Sequence, residues 1–540
     1  MTYLSIIAVI TGRLRSNVMK NLTIASLAVA PMCETSHTAL AASALPDLVV
    51  GSLSYSRTAG AFTSVVSDQG GPVASAVWIG VAYFVDGVQC TYGGVTQTLA
   101  AGASVTIGSH SCAISAGQHT ITAVVNDTNL IAESVTTNNT LSQTITIPSS
   151  VQAVSLSSFT NSIGIGTHMH DNFGGNAYTN VPMVESALNY LGIKHDRECF
   201  CDSYAVQTLT KMNQDLGITY DILVDSGNYT AEMAFIQANA GIVEAVEGAN
   251  EANQNPQNWD GNTTLYAAVL QQMQMRQDLA ANSSTANIPL YSMTITSSAA
   301  ISTIGNITPY CDQVAIHSYP QYYGNQSVLT TAQYLINVDS AMAPTKPLVV
   351  TESGFWTQPS PTGVPETIQA KLILSDLLDN FALGITRTYL YELFDEFYDP
   401  TGVNRPYHLG LFEYNGTPKP SAVALRNMQY ILADTGSPNN VGSLAFTTSG
   451  LPATAHSLVF ERSDGVFVVA LWNDAPIWDN VAYTPITVPS ALVKLTPQNQ
   501  PSSMSMYDPL VGQTATQQVN SATSISVTLP DHPVFVFIKP

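Results

Sequence analysis

The sequence predicts a multidomain chain: a central (β/α)8 TIM barrel over residues 157–435, a β-sandwich before it over 46–148, and a second β-sandwich after it over 441–540. Three observations carry this. The chain has 540 residues, too many for one ordinary domain. Its middle alternates short apolar runs with longer amphipathic stretches eight times, the count of a closed βα barrel. Its flanks show short alternating runs divided by turn residues, the pattern of antiparallel sandwiches.

Residues 1–41 read as an export segment. Arg13, Arg15 and Lys20 precede an apolar, small-residue stretch from Leu22 to Pro31, and Ala39-Leu40-Ala41 offers a small-x-small cleavage site. The run from Tyr3 to Ile10 fits this pattern poorly, which makes Met19 an alternative start. Ala30-Pro31-Met32 before Cys33 is a poor lipobox. No later stretch reaches the apolar length of a membrane span. Cleavage after Ala41 leaves Cys90, Cys112, Cys199, Cys201 and Cys311, an odd count. Cys90 and Cys112 share one small β-rich segment and are the expected disulfide. Cys199 and Cys201 straddle Phe200 with no matching Cys/His pair at zinc spacing, so no metal is expected there.

The first sandwich rests on runs such as Ala76–Phe84 and His119–Val125, divided by Asp86-Gly87, Gly93-Gly94 and Ala116-Gly117. About seven strands follow from that spacing. Pro46-Asp47-Leu48-Val49-Val50, Val85-Asp86-Gly87, Gly117-Gln118-His119-Thr120, Ile131-Ala132-Glu133-Ser134 and Asn138-Asn139-Thr140 resemble bacterial CARDB-type adhesion modules. The resemblance implies an Ig-like accessory domain that binds sugar or spaces its neighbour.

In the barrel region the predicted strands are Ser162–Thr167, Ile193–Cys199, Thr219–Val224, Ile242–Glu247, Pro289–Thr294, Gln313–Ser318, Pro347–Glu352 and Thr386–Leu393. Helical periodicity falls between them over Pro182–Leu191, Val206–Leu216, Ala231–Ala240, Thr263–Ala281, Thr331–Ala343 and Glu366–Leu383, with Lys419–Leu432 after the last. A doubly wound sheet would want a glycine-rich phosphate loop after its first strand, and Gly164-Ile165-Gly166 opens no such turn. The second sandwich rests on Ser457–Arg462, Gly465–Asn473, Ser524–Leu529 and His532–Lys539.

Charged residues make up 10% of the chain and the formal net charge is −21. There are no Lys/Arg clusters to meet phosphates, which excludes nucleic acid and anionic membranes as partners. A polysaccharide or oligosaccharide suits such a surface. The sequence carries no signal for an oligomeric state or a cofactor.

Two stretches carry the chemistry. Val246-Glu247-Gly248-Ala249-Asn250-Glu251 and Pro347-Leu348-Val349-Val350-Thr351-Glu352 are both apolar runs that end in glutamate at a strand tip. An ionised group there must be paired or put to work, and barrel sites lie at the C-terminal strand ends. Asn250-Glu251 after strand four and Thr351-Glu352-Ser353-Gly354 at the end of strand seven resemble glycoside hydrolase clan A, in order and position. The barrel-then-sandwich layout resembles family 39-like enzymes, although Ala252 stands where proline is frequent. The resemblance implies a retaining glycosidase that works through a covalent glycosyl-enzyme. Glu352 would be the nucleophile, ionised at rest, and Glu251 the acid/base, protonated at rest. Asn250 would bond the sugar 2-hydroxyl.

His317 and Tyr319 lie two apart at the end of strand six and share a face. The resemblance makes Tyr319 the holder of the nucleophile and His317 a subsite residue; a structural histidine is the alternative. Arg197, ending strand two, is expected beside Glu352, with a surface pair to Glu198 as the alternative. His168 and His170 would bind sugar hydroxyls, since no third metal ligand is evident. Trp356 and Tyr391 are stacking platforms or packing. Glu392, Asp395 and Glu396 line subsites or form an acidic rim. Glu244 and Glu247 are structural. The expected function is a glycosidase cleaving a polysaccharide or oligosaccharide, secreted or periplasmic in a bacterium. The alternatives are a non-catalytic carbohydrate-binding protein on a degenerate barrel and a transglycosylase.

Overall fold

The computed structural model describes residues 44–540 apart from 57–58, 116, 148–149, 170–173, 200–202, 323–326, 435 and 437–439. The export segment, Cys33, Cys201 and His170 lie outside the described residues.

Strands β1 (Leu48–Ser56), β2 (Ala61–Asp68), β3 (Val73–Val85), β4 (Val88–Leu99), β5 (Ser104–Ser111), β6 (Gly117–Val125) and β7 (Thr140–Ile147) build the first part. They form two antiparallel sheets, β1-β2-β5 and β4-β3-β6-β7. Alternation sets the inward faces: Ile121, Ala123 and Val125 of β6 are fully buried. Across the sheets, the Phe62 and Tyr83 rings stack at 4.9 Å. The expected disulfide between Cys90 and Cys112 is formed and ties β4 to the end of β5.

Two short strands then leave this region. β8 (Ser150–Gln152) and β9 (Val154–Ser155) are absent from the sequence reading. Each is an edge strand of a C-terminal sheet, described below.

The centre is one all-parallel sheet of β10 (Ile163–Gly166), β11 (His195–Cys199), β12 (Thr219–Leu223), β13 (Val243–Glu247), β14 (Val314–Ser318), β15 (Leu348–Ser353) and β16 (Thr388–Leu390). Their order is β13-β12-β11-β10-β16-β15-β14, so the first strand pairs with the last. Helices Val181–Leu191, Ser203–Leu216, Tyr229–Ala238, Tyr266–Ala281, Val328–Asp339, Glu366–Ala382 and Pro420–Ile431 alternate with the strands. Their ends follow local chemistry. The Asn180 side chain accepts from Met183 N, and Gly192 closes that helix at φ +74°.

The fifth expected strand, Pro289–Thr294, is not a strand. It makes one parallel bridge to each edge of the sheet, Val246↔Leu290 and Tyr291↔Gln313. Side chains take the remaining backbone groups. Gln272 Oε1 accepts from Met293 N at 3.1 Å, and Gln272 Nε2 donates to Tyr291 O at 2.9 Å. Asp312 accepts from Leu290 N at 2.9 Å, and Ser292 Oγ from Ala315 N at 3.0 Å. Main-chain bonds to both neighbours complete the set, with Tyr291 N donating to Val246 O at 2.7 Å and Ser292 N to Gln313 O at 3.0 Å, so the segment sits between β13 and β14 on short bridges instead of a continuous ladder.

The last part holds β17 (Ser443–Ser449), β18 (Ala455–Glu461), β19 (Phe467–Asn473), the small pair β20 (Trp478–Asp479) and β21 (Thr484–Pro485), β22 (Ala491–Pro497), β23 (Ser503–Tyr507), β24 (Gln517–Asn520), β25 (Ile525–Leu529) and β26 (Val534–Lys539). Two sheets result, β25-β22-β17-β8 and β24-β23-β26-β19-β18-β9. β8 pairs antiparallel with β17 and β9 parallel with β18. Ile525, Val527 and Leu529 are buried on one face of β25, the period-two signature of a sandwich.

Two buried acids, Asp379 and Asp474, join this sandwich to the central helices, and a third, Asp376, lies buried on the same helix as Asp379. Asp379 accepts from Trp472 Nε1 at 2.7 Å, and Asp376 from Ser353 Oγ at 2.7 Å. Asp474 follows β19 and faces Leu329 N. Burial pushes Asp376 and Asp474 up to about 7, against about 3.9 in an unfolded chain. Between those values the folded protein keeps protons that the unfolded chain has released. Their stabilisation is therefore complete below about pH 4 and lost as pH rises through 7. The thermal midpoint is expected to sit several degrees higher at pH 5 than at pH 8, and an Asp376→Asn/Asp474→Asn double variant to flatten the difference. An unchanged slope in that variant would remove these two groups from the account.

Candidate active site

Parallel strands align their C-terminal ends, so residues at the tips of β11, β13, β14, β15 and β16 share one side of the sheet. A cavity of about 390 Å³ opens there, lined among others by Arg197, Asn250, Glu251, Tyr319, Glu352 and Tyr391.

Glu352 reaches it through an irregularity. The β14–β15 register runs Ile316↔Val350 and then His317↔Glu352, skipping Thr351. Such a bulge re-aims a side chain. Here Thr351 Oγ1 donates to Glu247 Oε1 at 2.9 Å, while Glu352 meets different partners. Arg197 Nη1 donates to Glu352 Oε1 at 2.7 Å and Tyr319 Oη to Oε2 at 2.6 Å. Burial alone would raise this carboxyl. The fields of His317 and Arg197 and the bonds from Tyr319 and Arg197 outweigh it, and hold Glu352 below the ordinary glutamate range. Burial and the Glu352 charge push the Tyr319 hydroxyl far up, so it stays a donor.

Glu251 sits four residues past β13 in a left-handed conformation, φ +44°. For a non-glycine residue this costs roughly 1–2 kcal/mol. Local bonds hold it: Glu251 N donates to Thr294 Oγ1 at 2.8 Å, and its carbonyl accepts from Gln254 N and Asn255 N. His317 Nδ1 lies 3.0 Å from Glu251 Oε1 and His317 Nε2 lies 3.5 Å from Glu352 Oε1. One donor atom from each of Glu251, His317 and Glu352 lies within 4.8 Å of the others. That set would also suit a divalent ion, but Arg197 already occupies the same Glu352 oxygen with a positive charge.

Arg197 is buried and organises the floor. It donates to Glu247 through Nε at 2.6 Å and Nη2 at 3.2 Å, and to Asn250 Oδ1 at 2.8 Å. The alternative pairing with Glu198 does not occur. Glu198 turns away and accepts from Thr167 Oγ1 at 2.7 Å and Met169 N at 2.6 Å. Asp221, opposite Arg197 on β12, lies behind Glu247, and burial and the Glu247 charge raise its carboxyl well above the usual range. Glu244 is at the other end of β13, bonded to His195, Thr219, Tyr389 and Arg387.

The remaining expected residues divide. His317 touches the glutamate pair directly, closer than a subsite residue would be. His168 lines the cavity, its ring edge-on to Tyr391 at 5.3 Å and its Nε2 3.7 Å from Glu392. Tyr391 borders the cavity between His168 and Tyr319. Trp356 is only 4% exposed, with Tyr322 and Arg405 packed over it at 4.8 Å each. Its face is covered, so it is not an open stacking platform; Tyr322, 53% exposed, is the available ring. Glu392, Asp395 and Glu396 form no rim. All three are buried, bonded to Tyr178, Lys419 and Asn176 respectively. Tyr322, Arg405 and Asp221 are the site residues that sequence reasoning passed over; Glu247, expected to be structural, is the buried partner of Arg197. An arginine just past strand eight, in a chain this poor in cations, was the available signal for Arg405.

Residues 45–143 match the CARDB family, where the sequence resembled it. No curated protein sequence matches the chain. Among solved structures, the chain is similar to a GH2 β-galacturonidase from Eisenbergiella tayi, at 11% identity over 72% of each chain with a TM-score of 0.37. It is similar to β-glucuronidase 2 of Bacteroides uniformis at 11% identity and a TM-score of 0.37, spanning 92% of this chain and 58% of that enzyme's length. A family 17 β-1,3-glucanosyltransferase from Rhizomucor miehei overlaps at 15% identity, 48% of this chain and 96% of that one, with a TM-score of 0.38. At that level of overlap, the site's own geometry has to carry the chemistry.

Proposed function

We propose that the chain is a secreted retaining glycoside hydrolase of the clan A type, acting on a polysaccharide or oligosaccharide, with Pro289–Thr294 as the eighth stave that closes the barrel. The observation that carries this reading is the approach of Glu251 and Glu352, with carboxylate oxygens within 4.8 Å across one cavity. Carboxyl groups about 5–5.5 Å apart suit attack by one of them, whereas inversion needs about 6.5–9.5 Å to admit a water.

Glu352, kept ionised by Arg197 and steadied by Tyr319, attacks the anomeric carbon. Glu251 passes its proton to the leaving oxygen as the glycosidic bond breaks. The ester that forms removes the Glu352 charge. Glu251, now a carboxylate, takes a proton from water, and that water's oxygen displaces Glu352 with net retention. His317 lies against both carboxyls and orients them. Asn250 accepts from Arg197 through Oδ1, which leaves its Nδ2 to donate to the sugar 2-hydroxyl.

Glu251→Ala tests the proton-donor role. Natural glycans are expected to lose about 10²- to 10⁴-fold in rate, the usual scale of general acid catalysis. Aryl glycosides with leaving groups that need no proton should lose far less in the first step. Equal losses on both would count against Glu251. Screening purified protein on a panel of plant and bacterial polysaccharides then identifies the substrate.

A further inference from the structure

Arg405 stands in the loop after β16, beside the cavity, with its guanidinium carbon 4.8 Å from the ring centres of both Tyr322 and Trp356. The loop presenting it is tied by Asp399, which accepts from Thr401 Oγ1 at 2.8 Å and Asn404 N at 2.7 Å and lies 3.4 Å from His408 Nε2. Asp399 thus spends its oxygens on the loop. Among the described residues no carboxylate forms an ion pair with Arg405, in a chain with 38 Asp and Glu against 17 Lys and Arg. The other guanidinium of this site, Arg197, is saturated by Glu247, Glu352 and Asn250. Tyr322 connects the two regions: its ring lies 6.1 Å from that of Tyr319, which holds Glu352, and its hydroxyl feels the charges of both Arg405 and Glu251.

Neither ring accepts a conventional hydrogen bond from the guanidinium held over it, so its N–H donors remain available, and that planar fork matches a carboxylate with two parallel bonds. A cation packed on Tyr322 and Trp356, two residues of the wall of the cavity that holds Glu251 and Glu352, offsets the repulsion that an anionic ligand would meet there. We propose that Arg405 selects an acidic glycan, binding the carboxylate of a uronic acid residue in a sugar that occupies the cavity. The substrate class rests on the glycosidase reading above; the carboxylate recognition does not.

The test compares uronate-containing polysaccharides and oligosaccharides with the same glycans after their carboxyls are reduced to alcohols. Binding to the full-length protein is read by calorimetry, and turnover is read separately. The wild-type protein is expected to prefer the acidic form by about 10- to 100-fold, the scale of a charge-assisted bidentate pair, and to lose that preference as salt rises. Arg405→Gln should bring the ratio near one, with Arg405→Lys in between. Arg426→Gln serves as a charge-matched control. Arg426 lies over Tyr190 at 4.6 Å, away from this cavity, and its loss should leave the ratio unchanged. Hydrolysis of neutral glycans with no acidic preference would overturn the assignment while leaving the glycosidase reading intact. Arg405-dependent binding of uronates without turnover would do the reverse. An acidic preference that survives Arg405→Gln, or binding only of sulfated glycans that lack uronate, would also overturn it.

Discussion

Glu352→Gln is expected to leave a folded protein whose turnover has fallen by on the order of 10⁵- to 10⁶-fold, the scale seen when a covalent enzyme loses its nucleophile. The substitution keeps volume and most contacts, because Arg197 retains Glu247 and Asn250 as partners. What it removes is the charge that attacks the anomeric carbon, and an amide cannot form the ester. The complementary variant, Glu352→Ala, opens a space where a small anion can act instead. Azide should then restore a measurable rate on an activated substrate and release a glycosyl azide of inverted configuration. Near-normal rates for Glu352→Gln, at a purity that excludes wild-type carryover, would falsify the nucleophile assignment.

Arg197→Met should produce the largest loss of stability. The guanidinium is the shared partner of Glu247 and Glu352 in a buried floor that also holds Asp221. Removing one partner from a buried pair costs about 3–5 kcal/mol, because the remaining charge is left without compensation. The thermal midpoint is the practical readout, since a chain with several cores does not meet the conditions for two-state unfolding. A second effect is separate from stability. Without Arg197, the forces holding Glu352 below the ordinary range weaken, so more of it is protonated at a given pH. The acid limb of kcat/KM should therefore move to higher pH in Arg197→Met, and less so in Arg197→Lys, which keeps the charge but not the three-way fork. A variant with lowered stability and an unmoved acid limb would confine Arg197 to a structural part.

The central strands are legible in the sequence because both their faces are buried. Ile165, Ile222, Val246, Ile316, Val350 and Leu390 are all 0% exposed, and each lies in an apolar run bounded by turn residues. Pro289–Thr294 has the same apolar look. Its ladder is interrupted by Gln272, a polar residue buried on a helix some twenty positions earlier, and periodicity has no means of showing that. The glutamates are readable for a different reason: a carboxyl at the tip of an apolar strand is costly, and cost marks function. Their partners are harder. Glu247 and Arg197 lie on strands that meet only after the sheet has formed. The sequence leaves Trp356 open between a platform and packing, and only the fold decides. An indole just past Glu352 could serve as a sugar platform by sequence, but the fold lays Tyr322 and Arg405 over it.

The strands β8 and β9 have a practical consequence. Both precede the central parallel sheet in the chain, yet each completes the border of a sheet whose other strands come about three hundred residues later, from 443 onward. A fragment trimmed to begin at 157, where the helical pattern starts, would strip β17 and β18 of those neighbours and bare two rows of unsatisfied amides and carbonyls to self-association. The smallest piece that folds without sticky margins should therefore begin at Ser150, whatever its N-terminal module is doing.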